Sequence, residues 1–147
     1  MKDKTIDYVL RTTWLTVSKM YNEEAAKFDS TMATGLTLLN IDQEKGTPST
    51  ALGPKMGMEA TSLSRILKTM EKRGLIERRP NPEDGRSVLI YLTEFGKEKR
   101  AYSKEKVLTF NEAIRNNVSE EKLNHFYEVA ELIIDMVTNK KIYDQTK

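Results

Sequence analysis

One short segment limits the folds open to this chain. Leu75-Ile76-Glu77-Arg78-Arg79 and Ser87-Val88-Leu89-Ile90-Tyr91-Leu92 are the only runs with strand character. They flank Pro80-Asn81-Pro82-Glu83-Asp84-Gly85-Arg86. Two β-prone runs around Pro, Asn, Asp and Gly make a hairpin with a long tip. Apolar spacings of three and four dominate elsewhere, so the chain must build a mainly α fold around one small hairpin.

The spacing of Ile6, Val9, Leu10, Thr13, Trp14, Val17, Met20, Tyr21 and Ala25 predicts a long amphipathic helix over about 5–27. Asp29-Ser30-Thr31 offers N-cap oxygens for a second helix, about 32–43. Thr47-Pro48 reads as a cap followed by proline in the first helical position, opening a third helix over about 48–56. Pro54 inside it cannot donate to the carbonyl of Thr50, which predicts a kink or an early end. After the Gly57-Met58 turn, Leu63, Ile66, Leu67 and Met70 set one face of a fourth helix over Glu59 to Arg73, with Gly74 as its C′ stop. Thr93 caps a fifth helix, about 94–117. Ser119 caps a sixth that runs to about 140, carrying Leu123, Phe126, Ala130, Ile133 and Val137.

Composition removes several classes of function. The 147 residues include no Cys and a single His, His125. Disulfides, thiolate metal sites and cysteine redox chemistry have no residues to use, and a zinc site lacks its usual ligands. No metal or cofactor is expected. No Ser/His/Asp arrangement or phosphate-binding glycine loop is visible, so no enzyme is expected. The polar start, Met1-Lys2-Asp3-Lys4, is unlike an apolar signal sequence, and no run approaches a membrane span. A cytoplasmic protein is the expectation. The net charge of +2 is unevenly placed: residues 55–106 hold 13 basic and 8 acidic side chains, net +5, while the two flanks are net negative. A basic middle is a footprint for a polyanion.

Two short helices joined by a tight turn and followed by a hairpin describe a winged helix-turn-helix, whose second helix enters the DNA major groove. The fourth helix suits that role. With its apolar stripe inward, Thr61, Ser62, Ser64, Arg65 and Lys68 face outward, followed by Thr69 and Lys72. Hydroxyls serve base edges or phosphates, and Arg65 suits a bidentate pair with guanine or a phosphate. Arg86 at the hairpin tip suits the minor groove, with Asp84 two residues earlier as a candidate to hold its guanidinium. Arg78 and Arg79 point to opposite faces of their strand, so one of them, taken as Arg78, is expected to reach phosphate.

These residues resemble the MarR family of bacterial regulators over residues 31–100, and the helix order carries the likeness across nearly the whole chain. The likeness rests on Ser62-Leu63-Ser64-Arg65, on Met70-Glu71-Lys72-Arg73-Gly74-Leu75-Ile76-Glu77-Arg78, on Asp84-Gly85-Arg86 and on Leu92-Thr93-Glu94-Phe95-Gly96. The resemblance implies a dimer held by its first and last helices, a palindromic DNA site, and repression relieved by a small ligand. It places Ser62, Ser64 and Arg65 on the recognition helix and Asp84 and Arg86 on the wing. Gly53-Pro54 departs from the continuous third helix of the family, and the lack of Cys excludes its peroxide-sensing branch.

The expected organisation is a single domain over 1–147, with a winged-helix module at about 30–100 and a helical dimerisation region at about 5–27 and 94–140. Ile6, Leu10, Val17, Phe126, Ala130, Ile133 and Val137 are the expected seam of a homodimer, whose two-fold axis would match that of an operator. Three readings compete. One is a DNA-binding repressor with a small-molecule effector of unknown identity; the second is a winged helix used for protein–protein contact alone; the third, a small-molecule binding protein or enzyme using a cleft between subdomains, is opposed by the lack of any catalytic constellation.

Overall fold

The fold is mostly helical with one small antiparallel sheet. The computed structural model describes residues 3–143, so Met1-Lys2 of the polar start lies outside the described residues. In chain order the elements are α1 (Ile6–Ala26), α2 (Met32–Asn40), β1 (Thr47–Pro48), α3 (Ser49–Met56), α4 (Ala60–Lys72), β2 (Ile76–Pro80), β3 (Val88–Leu92), α5 (Glu94–Asn117) and α6 (Glu120–Thr138). The chain divides into two compact units, 1–106 and 107–147.

In the first unit, caps set most helix starts. The Thr5 hydroxyl accepts the Tyr8 N–H, and the Thr31 hydroxyl accepts the Thr34 N–H at 3.2 Å, as the Asp29-Ser30-Thr31 run predicts. Asn22 of α1 accepts the Met32 N–H at 2.9 Å, which fixes the start of α2 against the end of α1. α2 stops at Asn40, three residues before the expected end. Asp42 Oδ1 accepts the N–H groups of both Glu44 and Lys45 at 2.9 Å, and this side-chain turn replaces another helical turn. These two bonds, the Lys45 one first, lower the Asp42 pKa.

Beyond that turn the chain departs from the sequence reading. Thr47 does not cap α3; its hydroxyl accepts the Asp42 N–H at 2.8 Å, and Thr47-Pro48 forms a third strand against Ile90 and Leu89. The sheet order is β1-β3-β2. Proline is tolerated because β1 is an edge. α3 then begins one residue later than expected, with Pro48 in the cap position and no side-chain cap. Pro54 does not end it early; α3 runs to Met56. The stop is at Gly57, φ 62°, where Met58 N–H reaches the Gly53 carbonyl and Gly57 N–H reaches that of Pro54. This paired C-terminal bonding needs a left-handed residue, which glycine adopts at no steric cost.

Leu38, Ile41, Leu52, Leu63, Leu67, Met70, Leu75, Ile76, Ile90 and Leu92 form one buried cluster. It joins α2, α3, α4 and the sheet, so the helix pair and the hairpin share a core. Gly74 ends α4 as predicted, with Leu75 N–H bonded to the Met70 carbonyl at 2.9 Å. Thr93 caps α5 as predicted: its hydroxyl accepts the Gly96 N–H at 3.0 Å and donates to the Gly74 carbonyl. A side chain at Gly96 would overlap the Leu75 carbonyl oxygen, so the Thr-Glu-Phe-Gly run is a packing requirement where α5 passes the root of β2. The Phe28 and Tyr102 rings meet at a tilt of 57° with centroids 4.2 Å apart, and Lys106 pairs with Glu24 at 3.5 Å, which ties the first part of α5 to α1 and the residues just after it.

The second unit contains the rest of α5 and all of α6. Ser119 accepts the Lys122 N–H at 3.2 Å, as its cap position predicts, and Glu120 and Glu121 fill the first turn, where the helix dipole favours acids. Leu123 is buried; Phe126, Val129, Leu132, Ile134 and Val137 are exposed. No helix among the described residues is long and apolar enough to cross a membrane.

Candidate nucleic-acid interface

α4 is divided cleanly along its length. Leu63, Leu67 and Met70 are buried and Ile66 is half-buried. Thr61, Ser62, Ser64, Arg65 and Lys68 are all exposed, so the five polar positions predicted for this helix share its solvent side. Thr69 is exposed too, but its hydroxyl donates to the Arg65 carbonyl at 3.1 Å, which occupies it locally. Glu59 stands at the N-cap and makes no side-chain bond to the first turn. The first-turn N–H groups of α4 are left without a side-chain acceptor, next to Ser62.

The wing is built from nested side-chain turns. Asn81 Oδ1 accepts the Glu83 N–H at 3.0 Å, and its amide donates to Ser87 Oγ at 2.8 Å across the base of the loop. Asp84 Oδ1 accepts the backbone N–H of Arg86 at 2.9 Å. This corrects the role expected for Asp84. It forms the turn that carries Arg86 and does not pair with the guanidinium. Arg86 is exposed at the tip.

Arg78 and Arg79 are separated as strand alternation requires, and each has a partner that the sequence reading did not name. Arg79 donates to Glu77, two residues away on the same face, and its guanidinium lies over the Tyr91 ring at 4.2 Å from the centroid. Arg78 lies in register with the fully buried Ile90, on the core side of the sheet. Its Nε is 3.3 Å from Glu71 Oε2 of α4. The Glu77–Arg79 pair was legible from i, i+2 alternation; Glu71 was not, because its approach depends on the turn at Gly74.

The expected seam residues divide. Ile6, Leu10, Phe126 and Val137 are exposed, whereas Val17, Ala130 and Ile133 are half-covered within the chain. Trp14 and Leu15 join the exposed apolar residues of α1. His125 is exposed on α6.

Residues 31–88, from the N-cap of α2 to the first residue of β3, match the model of the MarR family. In sequence, this helix-turn-helix and wing are similar to the MarR family. Relatives of this MarR-type module include the uncharacterized HTH-type transcriptional regulator YdgJ of Bacillus subtilis, 31% identical over 88 residues, which are 60% of this chain and 54% of YdgJ. The regulator SarZ of Staphylococcus haemolyticus is 30% identical over 89 residues, 60% of each chain. The organic hydroperoxide resistance transcriptional regulator of B. subtilis is 35% identical over 80 residues, 54% of each. The chain thus spans little more than half the length of these relatives. In fold, the likeness is wider. The S. aureus MepR–DNA complex superposes with a TM-score of 0.83 over 90% of this chain and 98% of MepR, at 19% identity. A mutant of E. coli MarR complexed with operator DNA gives 0.77 over 87% of this chain and 92% of its own, at 20% identity.

Proposed function

We propose that this MarR-type chain is a DNA-binding transcriptional regulator, a cytoplasmic homodimeric repressor that reads a pseudo-palindromic operator. The observation that carries the reading is the division of α4: its apolar side is spent on the core, and Thr61, Ser62, Ser64, Arg65 and Lys68 form an unobstructed polar side beside the wing. The major groove is about 12 Å wide and admits such a helix; its short hydroxyls suit close approach, and Arg65 suits guanine or phosphate. Arg86, carried outward by the turns at Asn81 and Asp84, suits the minor groove. The regulators named among its relatives, and the two DNA complexes that share its fold, support this assignment over an enzyme or a protein-contact module.

The dimer is part of the proposal. α1 exposes Ile6, Leu10, Trp14 and Leu15, and α6 exposes Phe126, Val129, Leu132, Ile134 and Val137. Single exposed apolar residues are ordinary, but runs of this kind on two helices favour a partner. A second copy also supplies the second recognition helix that a two-fold operator requires. Release by a small ligand completes the proposal as the MarR resemblance implies it. The test is fluorescence anisotropy with DNA from upstream of the protein's own gene, at several salt concentrations. Tight binding with a steep fall in affinity as salt rises supports the assignment. Binding no tighter than to unrelated DNA at every salt concentration removes sequence-specific regulation.

A further inference from the structure

A carboxylate sits where two effects disfavour it. Glu71 lies in the last turn of α4, where the helix dipole repels negative charge, and on the helix proposed to face a polyanion. Its side chain is nearly half exposed, so it fills no place in the core. What it does is meet Arg78. The Nε edge of that guanidinium is 3.3 Å from Glu71 Oε2, and Arg78 reaches it from the core side of β2. A guanidinium held at Nε still has its two terminal NH2 groups, and Arg78 has no other ion-pair partner among the described residues. Arg79 differs: its guanidinium is engaged by Glu77 and covered by Tyr91.

We infer that Glu71 is a positioning residue for DNA binding: it orients Arg78 so that the terminal nitrogens meet a backbone phosphate between the recognition helix and the wing. The inference rests on the DNA-binding reading above. Glu71 itself touches no DNA; it fixes the rotamer of a long side chain that would otherwise lose conformational entropy on binding. An Arg oriented in this way suits phosphate because the planar fork presents paired donors.

Coulomb's law and positioning predict opposite signs for one substitution. Glu71→Gln removes a negative charge close to the DNA, which by charge alone strengthens binding. Gln has a helix propensity close to that of Glu, so the helix is kept. The positioning role predicts weaker binding instead, by about fivefold, in the range of coupling between contacting side chains. The experiment measures DNA affinity against salt for wild type, Glu71→Gln, Arg78→Ala and the double variant, with thermal melting of each. Arg78→Ala should reduce the salt slope by about 0.9 for each phosphate that is no longer neutralised. Glu71→Gln should lower both affinity and slope in the wild-type background and weaken nothing further in the Arg78→Ala background, at an unchanged melting temperature. Wild-type binding with equal or tighter binding by Glu71→Gln overturns the inference and leaves the DNA-binding reading intact. Equal weakening in both backgrounds also overturns it, since the effect then does not run through Arg78. A wild type that binds no DNA overturns both.

Discussion

α4 and α1 are both amphipathic, yet one buries most of its apolar side chains and the other leaves several exposed. α4 buries Leu63, Leu67 and Met70 and, beyond Ala60 in its first turn, exposes polar side chains. α1, longer by eight residues (21 against 13), buries none fully and leaves Ile6, Leu10, Trp14 and Leu15 exposed. The difference separates two uses of the same periodicity. A helix whose apolar stripe is already covered has its polar face free for a ligand such as DNA. A helix that leaves apolar side chains exposed is the one that a second copy of the chain, as proposed above, would cover.

Core substitutions should break this contrast most sharply. Leu67→Ala removes a buried side chain and should cost about 2–5 kcal/mol in urea unfolding. If the homodimer forms as proposed, Leu10→Glu should instead act on assembly: sedimentation should shift from dimer to monomer, and the unfolding midpoint should lose its dependence on protein concentration. A Leu10→Glu variant that remains a dimer would take α1 out of the seam.

On the outer face of α4, Arg65→Ala should cost about 1–3 kcal/mol of operator affinity and relax preference at one base position, with the fold unchanged. Arg86→Ala at the wing should weaken binding to many sequences alike. Titration of both variants against operator and scrambled DNA distinguishes reading a base from holding the backbone.

Asp84 sharpens the picture of the wing. Since it accepts the Arg86 backbone N–H, Asp84→Asn keeps an acceptor oxygen and should retain most of the affinity, while Asp84→Ala should lose more. A role in holding the guanidinium would make Asn nearly as damaging as Ala.

The helix-turn-helix and its wing were legible because each is set by local chemistry. The Leu63, Ile66, Leu67, Met70 spacing, Gly74 as a stop, and Pro, Asn and Asp between two β-prone runs act over a few residues. The features that escape a sequence reading depend on distant partners. β1 is two residues long and contains a proline, so no periodicity announces it, and Thr47 reads equally as a helix cap. Its true role needs Asp42 and Ile90 beside it. Asp84 belongs to the wing as expected but makes a different bond, since side-chain bonding to a near backbone N–H competes with ion pairing. Gly96 reads as part of a family signature; its reason, the carbonyl of Leu75, emerges only once β2 and α5 meet.

The smallest expected effect is on pH dependence. The folded-state pKa of Asp42 lies below its ordinary value of 3.8, held there by the Lys45 and Glu44 N–H groups. A depressed carboxylate contributes stability that is fully present above 3.8 and is lost as pH falls through the folded value. Asp42→Asn should therefore unfold with a slightly shallower loss of stability on acidification below that pH, seen as a smaller fall in the urea midpoint.

The central claim, that α4 and the wing of two chains read one two-fold DNA site, is tested most directly by footprinting. DNA selected for tight binding and probed by hydroxyl radicals should show two related patches of protection centred about one helical turn apart, roughly 10–10.5 base pairs. Arg65→Ala should weaken protection in both patches together. A single patch without two-fold symmetry, or protection that follows no sequence at all, would contradict the account.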